Sequence, residues 1–136
     1  MLCFEKNPYF FRELDKNIRG PNVVFSEGNV LTAERFLQGH GVQPGTVDCI
    51  ISTLPCSNLD YERVLKGSVI PWLKPGGLFV QYMHVLSYLK GFNVARLLSN
   101  YFSGIEADLV IMNIPPAIVY NCRHGMNASL RKDRDV

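Results

Sequence analysis

Between residues 47 and 54 the chain reads VDCIISTL, an almost unbroken apolar run led by β-branched residues. A strand with one wet face would alternate apolar and polar positions, and a helix would need a longer run. The stretch therefore predicts a strand buried on both faces at the centre of a sheet. Such strands belong to parallel sheets whose faces are covered by crossover helices.

The rest of the chain supplies that alternation. Leu2 to Glu5 reads as a strand, and Asn7 caps a helix that has Pro8 in its first turn and runs to about Ile18, where Gly20-Pro21 stops it. Tyr9, Phe10 and Phe11 read as helix packing, although three adjacent aromatics cannot all face one core. Val23 to Ser26 is a second strand, broken by Gly28-Asn29. Thr32 caps a short helix through Leu37 that Gly39 and Gly41 end. From Asp60 to Leu73 the residues Tyr61, Val64, Leu65, Val69 and Trp72 follow a helical stripe, with Pro71 tightening the last turn. KPGG at 74 to 77 is a tight turn into a strand, LFVQYMHV, and Gly91 to Phe102 is helical. Ala107 to Ile114 and Ala117 to Cys122 are strands joined by Pro115-Pro116. That link is too short for a crossover, so the last strand runs antiparallel. From His124 onward the chain is polar and is expected to fray.

Composition bounds the rest. A chain of 136 residues with 47% hydrophobic and 19% charged residues fits one domain with a real core, here residues 1 to 124 followed by a polar tail, 125 to 136. With 14 basic and 12 acidic residues and no basic stripe before the tail RKDRDV, there is no electrostatic signal for nucleic acid. No apolar run approaches the roughly 18 to 20 residues of a membrane span, and the N-terminus lacks the layout of a signal peptide, so a cytoplasmic protein is expected. Cys3, Cys49, Cys56 and Cys122 form no C-x-x-C pair. Three of them sit in apolar runs and read as buried thiols, with no metal site implied. Asn127-Ala-Ser matches a glycosylation acceptor but carries no weight without a secretory signal.

The predicted order is β-α-β-α-β-α-β-α-β-β, a doubly wound, mostly parallel sheet with an antiparallel last strand. Such sheets bind ligands beyond the carboxyl ends of their strands. That rule singles out Glu5 to Asn7, Glu27 to Val30, Thr53 to Asn58 and Gln81 to His84.

Four stretches at those ends, FEKNP, SEGNV, VDCIISTLP and WLKPGGLFVQY, together resemble the Rossmann-like fold of class I S-adenosylmethionine-dependent methyltransferases from its second strand onward. Within that superfamily VDCIISTLP, LKPGGLFVQY and VIMNIPPAIVY resemble bacterial-type phospholipid N-methyltransferases, which methylate phosphatidylethanolamine. The likeness covers residues 2 to about 124. It implies S-adenosylmethionine as cofactor, with Glu5 and Lys6 at the ribose and Gly28, Asn29 and Val30 at the adenine. Asn29 stands where an Asp is common, so it offers a carbonyl oxygen without the charge. Thr53, with Leu54 and Pro55, would lie beside the reactive methyl and hold an amine; alternatively these residues simply end a strand. Gln81, Tyr82 and His84 lie at a strand end that could face a substrate, and Asn113 either lines the acceptor pocket or caps a turn. No carboxylate is placed by sequence to orient His84 as a base.

The departure from the family is at the start. Its first strand, Gly-rich loop and following helix have no counterpart here, nor does the amphipathic N-terminal segment used at membranes. That reads as a truncated domain. In the complete fold the absent strand lies between those assigned to residues 2 to 5 and 47 to 54, and its loss would leave unpaired backbone groups. Hence two alternatives: a non-catalytic methyltransferase-like module that borrows a strand from a partner or self-associates through open sheet edges, or an RNA adenine methyltransferase. The second wants an Asn or Asp and an aromatic beside the Leu-Pro, where Thr53 and Cys56 stand. A lipid or small-molecule amine acceptor and peripheral membrane contact complete the expectation.

Overall fold

The computed structural model describes residues 1–18, 20–56, 60–88 and 93–125, without the side chains of 87 and 88. The chain divides into two compact units, Met1–Gln43 and Pro44–Val136.

In the first unit β1 (Leu2–Glu5) and β2 (Val24–Glu27) pair in parallel, with Leu2 opposite Val24 and Glu5 opposite Glu27. The crossover is α1 (Pro8–Asn17). Asn7 caps it by accepting a 2.9 Å hydrogen bond from the Tyr9 N–H, and Pro8 occupies the first turn, where its missing donor costs nothing. No residue of α1 is buried; Tyr9 and Phe10 are both exposed and Phe11 is half-buried, so the expected aromatic packing is largely absent. A single 3₁₀ turn (Val30–Thr32) leads into α2 (Ala33–Gly39). Thr32 does not cap α2 with its side chain. Its hydroxyl donates instead to the Asn29 carbonyl at 2.8 Å. Ala33 and Leu37 are the buried hydrophobic residues of this unit, beside an edge-to-face contact of Phe4 and Phe36 at 4.8 Å.

The second unit contains β3 (Val47–Ser52), α3 (Tyr61–Val64) continuing into a π-helical turn (Leu65–Val69), β4 (Leu73–His84), α4 (Val85–Tyr88), α5 (Val94–Ser99), β5 (Gly104–Val110) and β6 (Ala117–Arg123). The strand order is β3-β4-β6-β5. β3 and β4 are parallel, and β6 runs antiparallel to both neighbours, as the Pro115-Pro116 link requires. Tyr61, Val64, Leu65, Val69 and Trp72 are all buried, so the expected stripe is real although its helix widens to the π form after one turn. The KPGG turn lies inside β4 as a bulge: Val47 pairs with Leu73, but Cys49 pairs with Leu78. Gly76 has φ +75, and a Cβ on Gly77 would sit 2.8 Å from the Lys74 carbonyl oxygen, so both positions demand glycine.

Phe79, Gln81 and Met83 of β4 and Tyr120 and Cys122 of β6 form the buried face. Phe102 stacks on Phe79 at 5.4 Å, and Tyr61 bonds to Gln81, which fixes the helical side of the unit. The opposite face is open by comparison. Cys49 is exposed, Ile51 is 71% exposed, and Leu78, Val80 and Val119 are half-buried.

Four expectations are corrected. β3 is not a central strand buried on both faces; among the described residues it pairs only with β4 and so lies at a sheet edge. Cys49 is therefore exposed, and Cys3 is half-buried, whereas Cys56 and Cys122 are buried. β5 is shorter and earlier than the apolar pattern suggests, running Gly104–Val110 with residues 111–116 as the connection, whereas β6 starts at Ala117 as expected. His124 is not frayed. It is buried, its carbonyl accepts from the Gly76 N–H and its N–H donates to the Gly77 carbonyl, both at 2.9 Å, which closes the glycine bulge. The expected tail from 126 and the Asn127 acceptor lie outside the described residues, as do residues 91 and 92 of the expected Gly91 to Phe102 helix. Among the described residues no helix is long and apolar enough to cross a membrane.

Candidate functional site

The residues singled out by sequence fall into two groups, one in each unit. In the first unit, the parallel pairing of β1 and β2 brings their carboxyl ends side by side. The Gly28 N–H donates to the Glu5 carbonyl at 3.0 Å, so the Gly28-Asn29 turn is built against the end of β1. Glu5 is half-buried, and its Oε1 accepts the Asn7 N–H at 2.7 Å. That bond holds the carboxylate toward the strand end. Asn29 Oδ1 accepts from the Leu31 N–H at 3.0 Å, so the carbonyl expected to meet an adenine already caps the 3₁₀ turn and has one lone pair left. Lys6 is exposed and Val30 half-buried. Gly28 meets nothing closer than 3.9 Å with an added Cβ, so no close approach requires a glycine there.

In the second unit the parallel pair β3–β4 and the antiparallel pairs around β6 bring several chain ends to one edge. Ser52 lies opposite Gln81, His84 opposite Ala117, and Ala117 opposite Val110. Three connections leave from this edge: 53–60, the chain after His84, and 111–116. Thr53 and Pro55 are exposed, Leu54 is half-buried and Cys56 buried.

Three residues separated in sequence meet here. Asn113 Nδ2 donates to the Tyr82 hydroxyl at 2.7 Å, and that oxygen stands 3.4 Å from His84 Nδ1, with the two rings edge to face at 5.3 Å. The Tyr82 hydroxyl accepts from Asn113 and can exchange a second hydrogen bond with His84 Nδ1, as donor or acceptor according to the imidazole's tautomer. Asn113 thus belongs to the cluster through its side chain and does not cap a turn with that amide.

Gln81 does not face a substrate. Fully buried, it accepts the Tyr61 hydroxyl at 2.6 Å and donates to the carbonyls of Leu54, at 3.2 Å, and Tyr82, at 2.6 Å. All of its strong partners lie within the protein. It ties the Leu54 loop to β4 and sets the position of Thr53-Leu54-Pro55 relative to Tyr82. The Leu54 carbonyl also receives the Cys56 thiol at 3.6 Å, while the Thr53 side chain beside it is exposed. Burial pushes the Cys56 thiol up from an ordinary 9.0 to about 11 and raises the Tyr61 phenol as well, so neither ionises near neutrality. Thr53, Tyr82 and Asn113 supply hydroxyl and amide hydrogen-bonding groups along this edge. Tyr61 is the residue sequence reasoning missed, having been read as one position of an apolar stripe; its pairing with a polar residue on the predicted strand was the available signal.

Among the described residues no cluster of His, Cys, Asp or Glu is arranged to hold a metal ion. No protein-family model matches the sequence, and no curated protein matches it. Solved structures do. An N-methyltransferase, NodS, of Bradyrhizobium japonicum superposes with a TM-score of 0.66 at 12% identity, over 91% of this chain and 72% of that one. An assigned O-methyltransferase of Agrobacterium tumefaciens superposes with a TM-score of 0.63 at 11% identity, over 93% of this chain. This chain spans 62% of the Agrobacterium protein's length. The fibrillarin/Nop5p complex gives a TM-score of 0.67 at 16% identity, over 90% of this chain and 60% of that chain. The fold class is thereby defined: an α/β, Rossmann-like methyltransferase fold with an antiparallel last strand. The expected architecture and this likeness agree.

Proposed function

We propose that the chain is an S-adenosylmethionine-dependent methyltransferase domain whose acceptor is an amine of a phospholipid headgroup such as phosphatidylethanolamine. The observation that carries the reading is the convergence, at one sheet edge of a methyltransferase fold, of Tyr82, His84 and Asn113 with the Thr53-Leu54-Pro55 stretch, in which Thr53 and Pro55 are exposed. Bound S-adenosylmethionine supplies an electrophilic methyl carried by a sulfonium.

The donor set at β1 and β2 suits that cofactor. Glu5 is a half-buried carboxylate already oriented by a backbone N–H, and a carboxylate accepts two hydroxyls of a ribose diol. Asn29 retains one lone pair for an amino group. Methyl transfer to an amine is an in-line displacement in which alignment and exclusion of water do most of the work. The amine must be neutral, and the Thr53 hydroxyl with its neighbouring carbonyls accepts the N–H bonds that hold it. The His84 ring, held beside Tyr82 and Asn113, suits a phosphodiester oxygen when its Nε2 carries a proton. Neutral partners keep the acceptor nitrogen's lone pair free.

The test is calorimetric titration of the chain with S-adenosylhomocysteine, repeated with Glu5→Ala. Saturable binding that weakens at least tenfold in the variant is expected. Transfer of a labelled methyl to phosphatidylethanolamine then falls in Tyr82→Phe and Asn113→Ala while cofactor affinity holds. Absence of binding by a folded chain would overturn the reading and leave a partner-dependent module.

A further inference from the structure

Among the described residues, seven large hydrophobic side chains of the second unit are exposed, and six of them gather at the edge just described. Leu86 follows β4; Leu109 and Val110 end β5; Ile111, Met112 and Ile114 occupy the connection to β6. Met112 is 92% exposed and Ile114 96%. No charged residue occurs from Leu109 through Cys122. Scattered exposed apolar residues are ordinary, but a concentration on one uncharged edge is a docking signature.

We infer that this edge seats on a lipid bilayer, with Ile111, Met112 and Ile114 entering the acyl boundary. Its shape argues for a bilayer over a protein. Side chains exposed by more than nine-tenths are tips that project singly, and a protein interface needs a closely packed, complementary patch. The strands that another chain could extend are guarded instead. β5 carries Glu106 and Asp108, and β3 carries Asp48, paired with Lys74. Behind the tips stand the amphipathic groups that favour the headgroup layer, the Tyr82 ring with its hydroxyl and the Asn113 amide between Met112 and Ile114. With no basic cluster among the described residues at the edge, the attachment is apolar and depends little on anionic lipid or salt. This deepens the proposed function and rests on it for the identity of the acceptor: the seat would bring a headgroup to His84 and Thr53 without extracting the lipid.

The experiment is flotation of the full chain with phosphatidylcholine vesicles, with and without phosphatidylethanolamine, at low and high salt. The chain should float in both, with a bound fraction little changed by salt. M112D/I114D, whose side chains are too exposed to affect folding, should reduce binding at least tenfold and leave S-adenosylhomocysteine affinity unchanged. Met112→Trp should shift its emission to the blue on vesicles, while native Trp72 stays buried. A chain that binds S-adenosylhomocysteine but not vesicles overturns the seat and spares the methyltransferase reading. Vesicle binding without cofactor binding does the reverse. Self-association in the absence of lipid that M112D/I114D abolishes would assign the edge to a second copy and overturn the inference, as would undiminished flotation of that variant.

Discussion

Each unit contains a parallel strand pair joined through a helix, yet the two are held together differently. Among the described residues, fifteen of the seventeen buried hydrophobic ones belong to Pro44–Val136, and Ala33 and Leu37 are the two in Met1–Gln43. The larger unit is fixed by burial and by one interior polar network around Gln81. In the smaller unit local hydrogen bonds hold the strand ends, Glu5 to Asn7 and Asn29 to Leu31, while no residue of α1 is more than half-buried. A ligand at the smaller unit would stabilise it by mass action; the larger needs no such help to persist.

The sharpest way to break this contrast is to truncate one aromatic in each. Phe79→Ala removes a fully buried ring and should destabilise the larger unit by about 3–5 kcal/mol in denaturant unfolding. Phe36→Ala, half-buried, should cost about half of that. Equal losses would show that the smaller unit has a core of its own weight. Tyr61→Phe leaves the Gln81 carbonyl oxygen unpaired in the interior and should cost about 1–3 kcal/mol, and it should also loosen the Leu54 loop, read as faster amide exchange there.

Two buried thiols sharpen the comparison through pH. Burial pushes Cys56 up to about 11 and Cys122 to about 12 from an ordinary 9.0. Between pH 9 and 11 the unfolded chain therefore binds fewer protons at these thiols than the folded one, so stability is fully present below pH 9 and falls as pH rises. The loss should be about 1 kcal/mol per thiol by pH 10, and Cys56→Ala should flatten the slope. Over the same range Cys49, exposed on β3, should alkylate first and without unfolding. The smallest effect is expected from Asn7→Ala, about 1 kcal/mol of helix capping, seen as fraying of α1 with the larger unit's transition unmoved.

Much of this was legible from the chain alone. Asn7 with Pro8 marked a helix start, the buried stripe from Tyr61 to Trp72 marked its packed face, and the short Pro115-Pro116 link dictated an antiparallel β6. Neighbours were less readable. An apolar run such as VDCIISTL reports strand character and leaves open how many strands flank it, so β3 passed for a central strand. IMNI at 111 to 114 carries the same apolar signature as a strand, and hydropathy does not distinguish a segment that meets a sheet from one that projects beyond it. At the site, Tyr82 and His84 were placed by the strand-end rule, but the bond from Asn113 to Tyr82 joins positions thirty-one residues apart. Long-range hydrogen bonds are fixed by register, which pairs His84 with Ala117 and brings the 111–116 connection alongside. Gln81 was misassigned because the interior sets the direction of a strand's alternate side chains, and a polar residue is admitted there once Tyr61 answers it.

The wide turn at Leu65–Val69 bears on how this chain can change its length. There the Ile70 N–H reaches back five residues to the Leu65 carbonyl, at 2.9 Å, so the turn holds one residue more than an α-helical turn would. Gly67 stands exposed within it. Removing that residue would let the turn close to ordinary pitch while Tyr61, Val64 and Trp72 keep their angular places about the axis. A lineage could gain or lose one codon at this joint and leave everything on either side of it in phase.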